Sequence, residues 1–208
     1  DLHAANLMKW LRNFDPNLRF RGLGGPRMLA GGLDMDYQLT DLAVVGFAEV
    51  LPKLRKFFRV ADLASASFER ERPDAVVLVD FPGFNWHIAK RAKKHGIPVF
   101  YYLPPQLWAW GSWRLKKMKR YVDHVLCNLP FEEQWYSARK MPVEFVGHPF
   151  YDLVADRKLD DQFLQRWDRT SGKKVAVLPG SRGREVRNIW PIQLAAIKKL
   201  AARHPDTQ

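Results

Sequence analysis

The residues most able to do chemistry lie in the stretch Ala75–Asn85, Ala-Val-Val-Leu-Val-Asp-Phe-Pro-Gly-Phe-Asn. A run of apolar β-formers is the pattern of a strand buried on both faces of a parallel sheet. It ends in a single carboxylate, Asp80, and Phe81-Pro82-Gly83 then break the strand. Open α/β sheets bind ligands at the carboxyl ends of their strands, where this carboxylate falls. Apolar surroundings favour the neutral form of a carboxylate and so make it a better general base. The alternative is that Asp80 only caps a helix starting near Phe84.

A second candidate is Val-Ala-Val-Leu-Pro-Gly-Ser-Arg-Gly-Arg-Glu-Val, Val175–Val186. A buried strand is expected to run into a glycine-rich turn and then a helix. Backbone N–H groups at such a helix start form an anion site, and Arg182 adds a planar, permanently charged fork suited to phosphate. The turn Gly180-Ser181-Arg182, with Glu185 just inside the helix, is therefore read as a phosphate or diphosphate site. It is not a P-loop, for no Gly-Lys-Ser/Thr follows at the required spacing. Pro179 stands where a nucleophile elbow needs glycine, so Ser181 is a poor nucleophile. The competing reading is an ordinary connecting turn with a surface arginine.

Two further stretches pair apolar and basic residues. In Val44–Val60, Leu51, Leu54, Phe57, Phe58 and Ala61 form one helical face and Lys53, Arg55, Lys56 and Arg59 another. This fits an interfacial membrane helix as well as an amphipathic helix packed on the sheet. Tyr101–Arg120 carries Trp108, Trp110 and Trp113 and then a basic run. It reads either as a loop gripping an acyl chain or sugar, or as tryptophans closing a core. The six histidines show no metal-ligand spacing; His148, between Gly147 and Pro149, is the one expected at a cleft.

The elements that must position these groups follow from the whole chain of 208 residues. A net charge of +12 points to an anionic partner: nucleic acid, a membrane surface or a phosphorylated substrate. One cysteine, Cys127, excludes an internal disulfide and argues against structural zinc. No apolar run is long enough to span a bilayer and no signal peptide is visible. Asp1 is a good helix N-cap with a helical pattern directly behind it, and the last residues resemble a helix exit, so the chain is read as an internal stretch of a longer protein.

In order, the pattern predicts a helix over 1–14, a strand over 19–23 and a tight turn at Gly22–Met28, which fails the dinucleotide fingerprint because Arg27 replaces its third glycine. A weak strand at 35–39 and a long helix over 48–70 come next. Strand 75–79, helix 84–95 closed by Gly96, strand 97–103, basic helix 113–120, strand 124–128, helix 131–139 and strand 143–146 follow. Residues 152–159 read as a looser charged stretch. A helix at 161–167, a strand at 174–178 and a helix at 185–203 complete the chain. Strands alternating with helices imply parallel sheets covered on both sides. The expected fold is α/β, with two Rossmann-like units joined by a linker within 147–159. The boundaries are 1–150 for the first, nearly complete unit and 151–208 for a second, truncated one.

Seven segments in this order, GGPRMLAGG, LAVVGFAEVLPKLRKFF, VVLVDFPGFN, YYLPPQLWAW, LPFE, VGHP and LPGSRGREV, resemble the lipid-A-disaccharide synthases, glycosyltransferases of the GT-B class. Nearly the whole chain is covered. Asp1 resembles the last residue of that family's Ser-Gly-Asp loop, so the preceding central strand and most of the C-terminal domain are expected to lie outside the sequence. The resemblance implies transfer from UDP-2,3-diacylglucosamine to 2,3-diacylglucosamine 1-phosphate, giving a β-1,6 disaccharide 1-phosphate and UDP, without metal or other cofactor. Asp80 matches the family's catalytic carboxylate, and Arg182, with Gly180, Ser181 and Glu185, its diphosphate site. A second acid often found shortly after that aspartate is Gly83 here. Asp1, Asn85, Gln106, Trp108 and His148 are expected to line the substrate cleft. Val50, Leu51, Leu54, Phe57 and Phe58 are expected to form the surface that docks on the cytoplasmic face of the inner membrane. Asp80 and Arg182 are expected to face one another across a cleft. No nucleic acid is implied, and a homodimer is admitted. The competing readings are another GT-B UDP-sugar enzyme and a non-catalytic basic module for nucleic acid or anionic lipid.

Overall fold

The computed structural model describes residues 1–40, 50–155 and 157–207, with side chains omitted for residues 50–54. The chain forms two compact units, Asp1–Ala155 and Asp156–Gln208.

The first unit opens with α1 (Leu2–Phe14), which buries Ala4 and Met8. Asp1 caps α1 through its backbone only, its carbonyl accepting from Ala5 N at 2.9 Å. Its carboxylate instead accepts from the N–H groups of Arg27 (3.2 Å) and Met28 (3.1 Å). Those two groups open α2 (Pro26–Ala30), which lies between β1 (Arg21–Gly24) and β2 (Asp34–Gln38). The tight turn expected at Gly22–Met28 is thus a strand end and a helix start. Pro26 at the first helical position sacrifices no hydrogen bond, and Asp1 supplies the missing acceptor.

β1 and β2 pair in parallel as a two-stranded sheet. An ion cluster ties it to the end of α3 (Val50–Arg70): Arg21 bonds Asp36 at 2.7 Å and Glu71 at 3.3 Å, and Ser67 donates to Asp36 at 2.9 Å.

The main sheet runs β3 (Val76–Val79), β4 (Val99–Tyr102), β5 (His124–Cys127) and β6 (Val143–Phe145), parallel and in consecutive order. Between them come α4 (Pro82–Lys94), then a 3-10 turn (Ser112–Arg114) leading into α5 (Leu115–Tyr121), and then α6 (Pro130–Ser137). The α/β class with parallel sheets is the expected one. The core joins Leu78, Val99, Tyr101 and Val125 of the strands to Phe84, Ala89, Met118 and Tyr136 of the helices. Each large apolar side chain fully buried there contributes roughly 1.5–3 kcal/mol. β3 is an edge strand among the described residues, and Val77 in its middle is 43 % exposed. A helix missed by sequence reasoning, α7 (Phe150–Ala155), occupies part of the stretch expected to be loose.

The second unit contains α8 (Asp161–Arg169), capped by the Asp160 carboxylate on Phe163 N at 3.0 Å, and α9 (Gly183–Arg203). The strand expected at 174–178 does not form: no ladder engages it among the described residues. A run of β-formers becomes a strand only where a neighbouring strand takes up its N–H and C=O groups. Leu178 is 81 % exposed, and its carbonyl accepts from the Gln193 side chain at 3.0 Å.

Candidate functional site

β3 ends in two consecutive left-handed residues, Asp80 (φ 48°) and Phe81 (φ 42°), and β4 ends in another, Leu103 (φ 54°). Non-glycine residues avoid this region at a cost on the order of 1 kcal/mol each, and such outliers gather at functional sites. Here the strain is held by hydrogen bonds to one atom. The Asp80 carbonyl accepts from Asn85 Nδ2 at 2.6 Å and from the Tyr101 hydroxyl at 2.9 Å, while Asn85 also donates to the Val79 carbonyl. Asn85, expected in the substrate cleft, is buried with its amide committed to this turn. The backbone is therefore clamped from inside the fold. The carboxylate is left without a hydrogen bond or ion pair among the described residues. It does not cap α4, whose N-cap is Phe81 with no side-chain cap.

His3, which sequence reasoning missed, lies within reach of the charge of this carboxylate, and His148, which it singled out, neighbours His3. His3, in the first turn of α1, packs its ring on Phe150 at 4.9 Å, and His148 packs on the same Phe150 at 5.4 Å. Burial holds His3 below its ordinary pKa, and the Asp80 charge opposes that shift. Its Nδ1 is buried without a partner among the described residues. His148 Nδ1 accepts from Phe150 N at 3.2 Å, at the start of α7. Every histidine stands alone in the sequence, so only the packing of α1 against the Gly147–Phe150 corner could reveal this pair.

The aromatic loop after β4 is fastened to α6. Glu132, fully buried, accepts from Trp108 Nε1 at 3.0 Å and from Leu129 N at 3.3 Å. Burial raises the Glu132 pKa, and these bonds oppose it. Trp108 packs edge-on against Phe131 at 4.8 Å, and the Tyr136 hydroxyl donates to the Pro105 carbonyl at 3.3 Å. Trp108, 38 % exposed, is thus tied to the edge of the core by its indole N–H, and Gln106 is exposed. Cys127 is buried nearby, its thiol pushed up to about 11 by burial and by Glu132, which excludes it as a nucleophile at neutral pH.

In the second unit the turn at Gly180 (φ 107°) gathers N–H and guanidinium donors, and an internal acid meets them. Glu185 accepts from the N–H groups of Ser181 and Arg182, both at 3.2 Å, and from Arg182 Nη1 at 2.7 Å. These bonds, the Arg182 side chain first, hold its pKa below the ordinary glutamate value. Glu185 therefore sits as a stand-in anion where a diphosphate was expected to bind. Among the described residues no three His, Cys, Asp or Glu side chains are grouped to hold a metal.

A family model described as lipid-A-disaccharide synthetase matches residues 1–208. The chain belongs to that family. Lipid-A-disaccharide synthase from Coxiella burnetii (strain Dugway 5J108-111) is 38 % identical over 209 residues, covering 100 % of this chain and 56 % of the relative. The Anaeromyxobacter sp. (strain K) protein of the same name is 39 % identical over 208 residues, covering 100 % and 54 %. That of Syntrophus aciditrophicus (strain SB) is 41 % identical over 201 residues, covering 96 % and 52 %. The chain thus spans about half the length of the curated relatives it matches.

For a lipid-A-disaccharide synthetase family member, the surface of α3 is of particular interest, and its two phenylalanines part ways. Phe57 turns inward onto Phe81 (6.1 Å) and Phe84 (5.8 Å), and Ala61 is fully buried, so both serve the core. Phe58 is 46 % exposed and packs edge-on against His87 of α4 at 5.2 Å. The side chains of Val50, Leu51 and Leu54, also expected on that surface, lie outside the described residues. No helix among the described residues is long and apolar enough to cross a membrane.

Proposed function

We propose that the chain supplies the acceptor-side unit, and the beginning of the nucleotide-sugar unit, of an inverting GT-B glycosyltransferase that forms the lipid A disaccharide. The donor is UDP-2,3-diacylglucosamine and the acceptor 2,3-diacylglucosamine 1-phosphate. Residues 1–150 serve the acceptor, and 151–208 are the linker and the start of the nucleotide-sugar domain. The reading is carried by Asp80, a carboxylate at the carboxyl edge of a parallel sheet, on a strained turn that fixes its backbone and leaves its carboxylate oxygens unengaged among the described residues.

In this mechanism Asp80 takes the proton of the acceptor 6-hydroxyl as its oxygen bonds the anomeric carbon from the face opposite the leaving group. The bond from that carbon to the diphosphate oxygen breaks, inverting the centre, and UDP departs with the electron pair. Arg182 and the N–H groups of Ser181 and Arg182 offset the charge that develops on the diphosphate. A positioned base is worth about 10²–10⁴ in rate, and a preorganised charge clamp on the order of 10²–10³. No metal or cofactor enters the scheme. The acylated substrates place the reaction at the cytoplasmic face of the inner membrane, with the basic face of α3 toward the anionic surface.

The test is radiolabelled sugar transfer by the full-length protein, with and without the diacylated acceptor. Wild type should form the disaccharide, and Asp80→Ala, folded normally, should not. Retention of most activity in that variant would sink the assignment. Transfer only to an unacylated acceptor would favour another GT-B enzyme. Failure to bind UDP, with RNA affinity falling steeply with salt, would favour a basic binding module.

A further inference from the structure

α3, α4 and α5 lie side by side, and two contacts cross them in sequence. Phe58 of α3 packs on His87 of α4 at 5.2 Å. The His87 imidazole in turn lies within reach of the Lys117 charge on α5, and of Lys90 and Arg91 on its own helix. Most acidic charge near this face is already engaged: Asp62 bonds Arg91 at 2.6 Å, and Asp123 bonds Lys93 at 2.7 Å. Lys90, Lys116, Lys117 and Lys119 are exposed and make no ion pair among the described residues. From Leu103 to Val122 the sequence contains no acidic residue at all.

At the end of this face the loop preceding α5 raises Trp110, 79 % exposed, and Trp113, 66 % exposed. The Arg114 guanidinium lies 5.0 Å from the Trp113 ring. These tryptophans do not project because the loop is slack. Its base is bolted to α6 through buried Glu132 and Tyr136. Rigid indoles beside unpaired lysines match the two layers of an anionic bilayer surface. The rings suit the headgroup–acyl boundary, and the ammonium groups, on long apolar stems, suit the lipid phosphates.

We propose that the membrane-docking surface is one continuous basic and aromatic face running from Phe58 across α4 to α5 and Trp110–Trp113, with an anionic lipid bilayer as its occupant. This extends the docking reading beyond α3 and rests on the proposal that the substrates are membrane-borne. Trp110 and Trp113 set the depth of insertion, and Lys116, Lys117 and Lys119 supply most of the attraction to negative lipid. The latch through Glu132 holds the indoles in place before contact.

The experiment is co-sedimentation of the full-length protein with phosphatidylcholine vesicles, with and without phosphatidylglycerol, alongside sugar transfer in neutral detergent micelles. Binding should require phosphatidylglycerol and weaken with salt. Lys116→Gln/Lys117→Gln/Lys119→Gln should weaken it on the order of a hundredfold, at about fivefold per lysine. Trp110→Ala/Trp113→Ala should weaken it about tenfold or more. Both variants should melt as wild type does, and the lysine variant should keep micellar turnover. The His87 imidazole resonance should titrate at higher pH on vesicles containing phosphatidylglycerol than on phosphatidylcholine alone. Unchanged vesicle affinity in both variants would overturn this surface while leaving the transferase reading intact. Tighter binding to RNA than to the anionic vesicles would overturn it too. Absence of micellar turnover in wild type, with lysine-dependent vesicle binding preserved, would instead sink the transferase reading alone.

Discussion

The turn at Asp80 and the turn at Gly180 both lead from a run of β-formers into a helix, yet each leaves a different group available. At Asp80 the side chains of Asn85 and Tyr101 hold the backbone carbonyl, and the carboxylate stays unengaged among the described residues. At Gly180 the N–H groups and the Arg182 guanidinium converge, and Glu185 closes them with its own carboxylate. The first turn exposes Asp80 but is anchored from beneath by the buried side chains of Asn85 and Tyr101; the second is open to solvent throughout. A turn clamped from within can present an unsatisfied acid. An exposed anion site satisfies its donors with the nearest internal acid until a stronger anion arrives. In the proposed mechanism the two turns divide the tasks of inverting sugar transfer, one taking a proton and the other holding negative charge.

The largest test of this contrast is Asp80→Asn, which keeps the volume and removes the base. Turnover should fall about 10²–10⁴-fold with the KM for the UDP-sugar little changed. Activity within tenfold of wild type would mean that the two turns do not differ in chemistry. Asn85→Ala strips the clamp and leaves a buried carbonyl with one donor fewer. Chemical denaturation should register a loss of about 1–3 kcal/mol, with turnover reduced because Asp80 is no longer held. An unchanged midpoint would show that the left-handed turn holds itself.

Two other acids of the first unit separate donor-rich from merely buried carboxylates through pH. Burial pushes Asp36 up, but the hydrogen bonds from Arg21 and Ser67 and the charge of Arg70 outweigh it and leave its pKa lowered. Its stabilising effect is therefore present above the ordinary aspartate range and lost as pH falls through the depressed value. Glu132 runs the other way. Its raised pKa means that the unfolded chain releases this proton first, so stability falls as pH rises from the ordinary glutamate value through the raised one. Melting curves taken across the acid range should show both slopes, with Asp36→Asn removing the first and Glu132→Gln the second. The smallest effect is expected from Glu185→Gln. Removing the resident charge should tighten pyrophosphate binding by up to about fivefold by calorimetry, the scale of an exposed ion pair. Weaker binding would mean that Glu185 contacts the ligand directly.

Much of this was legible in the sequence because it is local. The strand before Asp80, the helix after it and the glycine-rich turn at Gly180 are each written within a dozen residues, as periodicity, Pro, Gly and charge. The strand expected at 174–178 failed because pairing is not a property of the run itself. Helix α7 was missed because six residues beside Gly147-His148-Pro149 carry too little periodicity to stand out from a charged linker. Phe57 and Phe58 look equivalent in a list of apolar residues, and one helical step sends the first into the core and the second to the surface.

By itself, then, the sequence determined the parallel α/β character, the position of Asp80 at a strand end, the donor set around Arg182 and the family. Those follow from backbone preferences and side-chain types that act over a few bonds. The tertiary structure alone decided that His3 reaches the Asp80 corner, that the Asp1 carboxylate serves α2 and that Asn85 clamps a turn. It also decided that Trp108 is latched by a buried glutamate. Each of these depends on which helix packs where, because hydrogen bonds and charges reach only a few ångströms while the residues they join stand tens of positions apart in the chain.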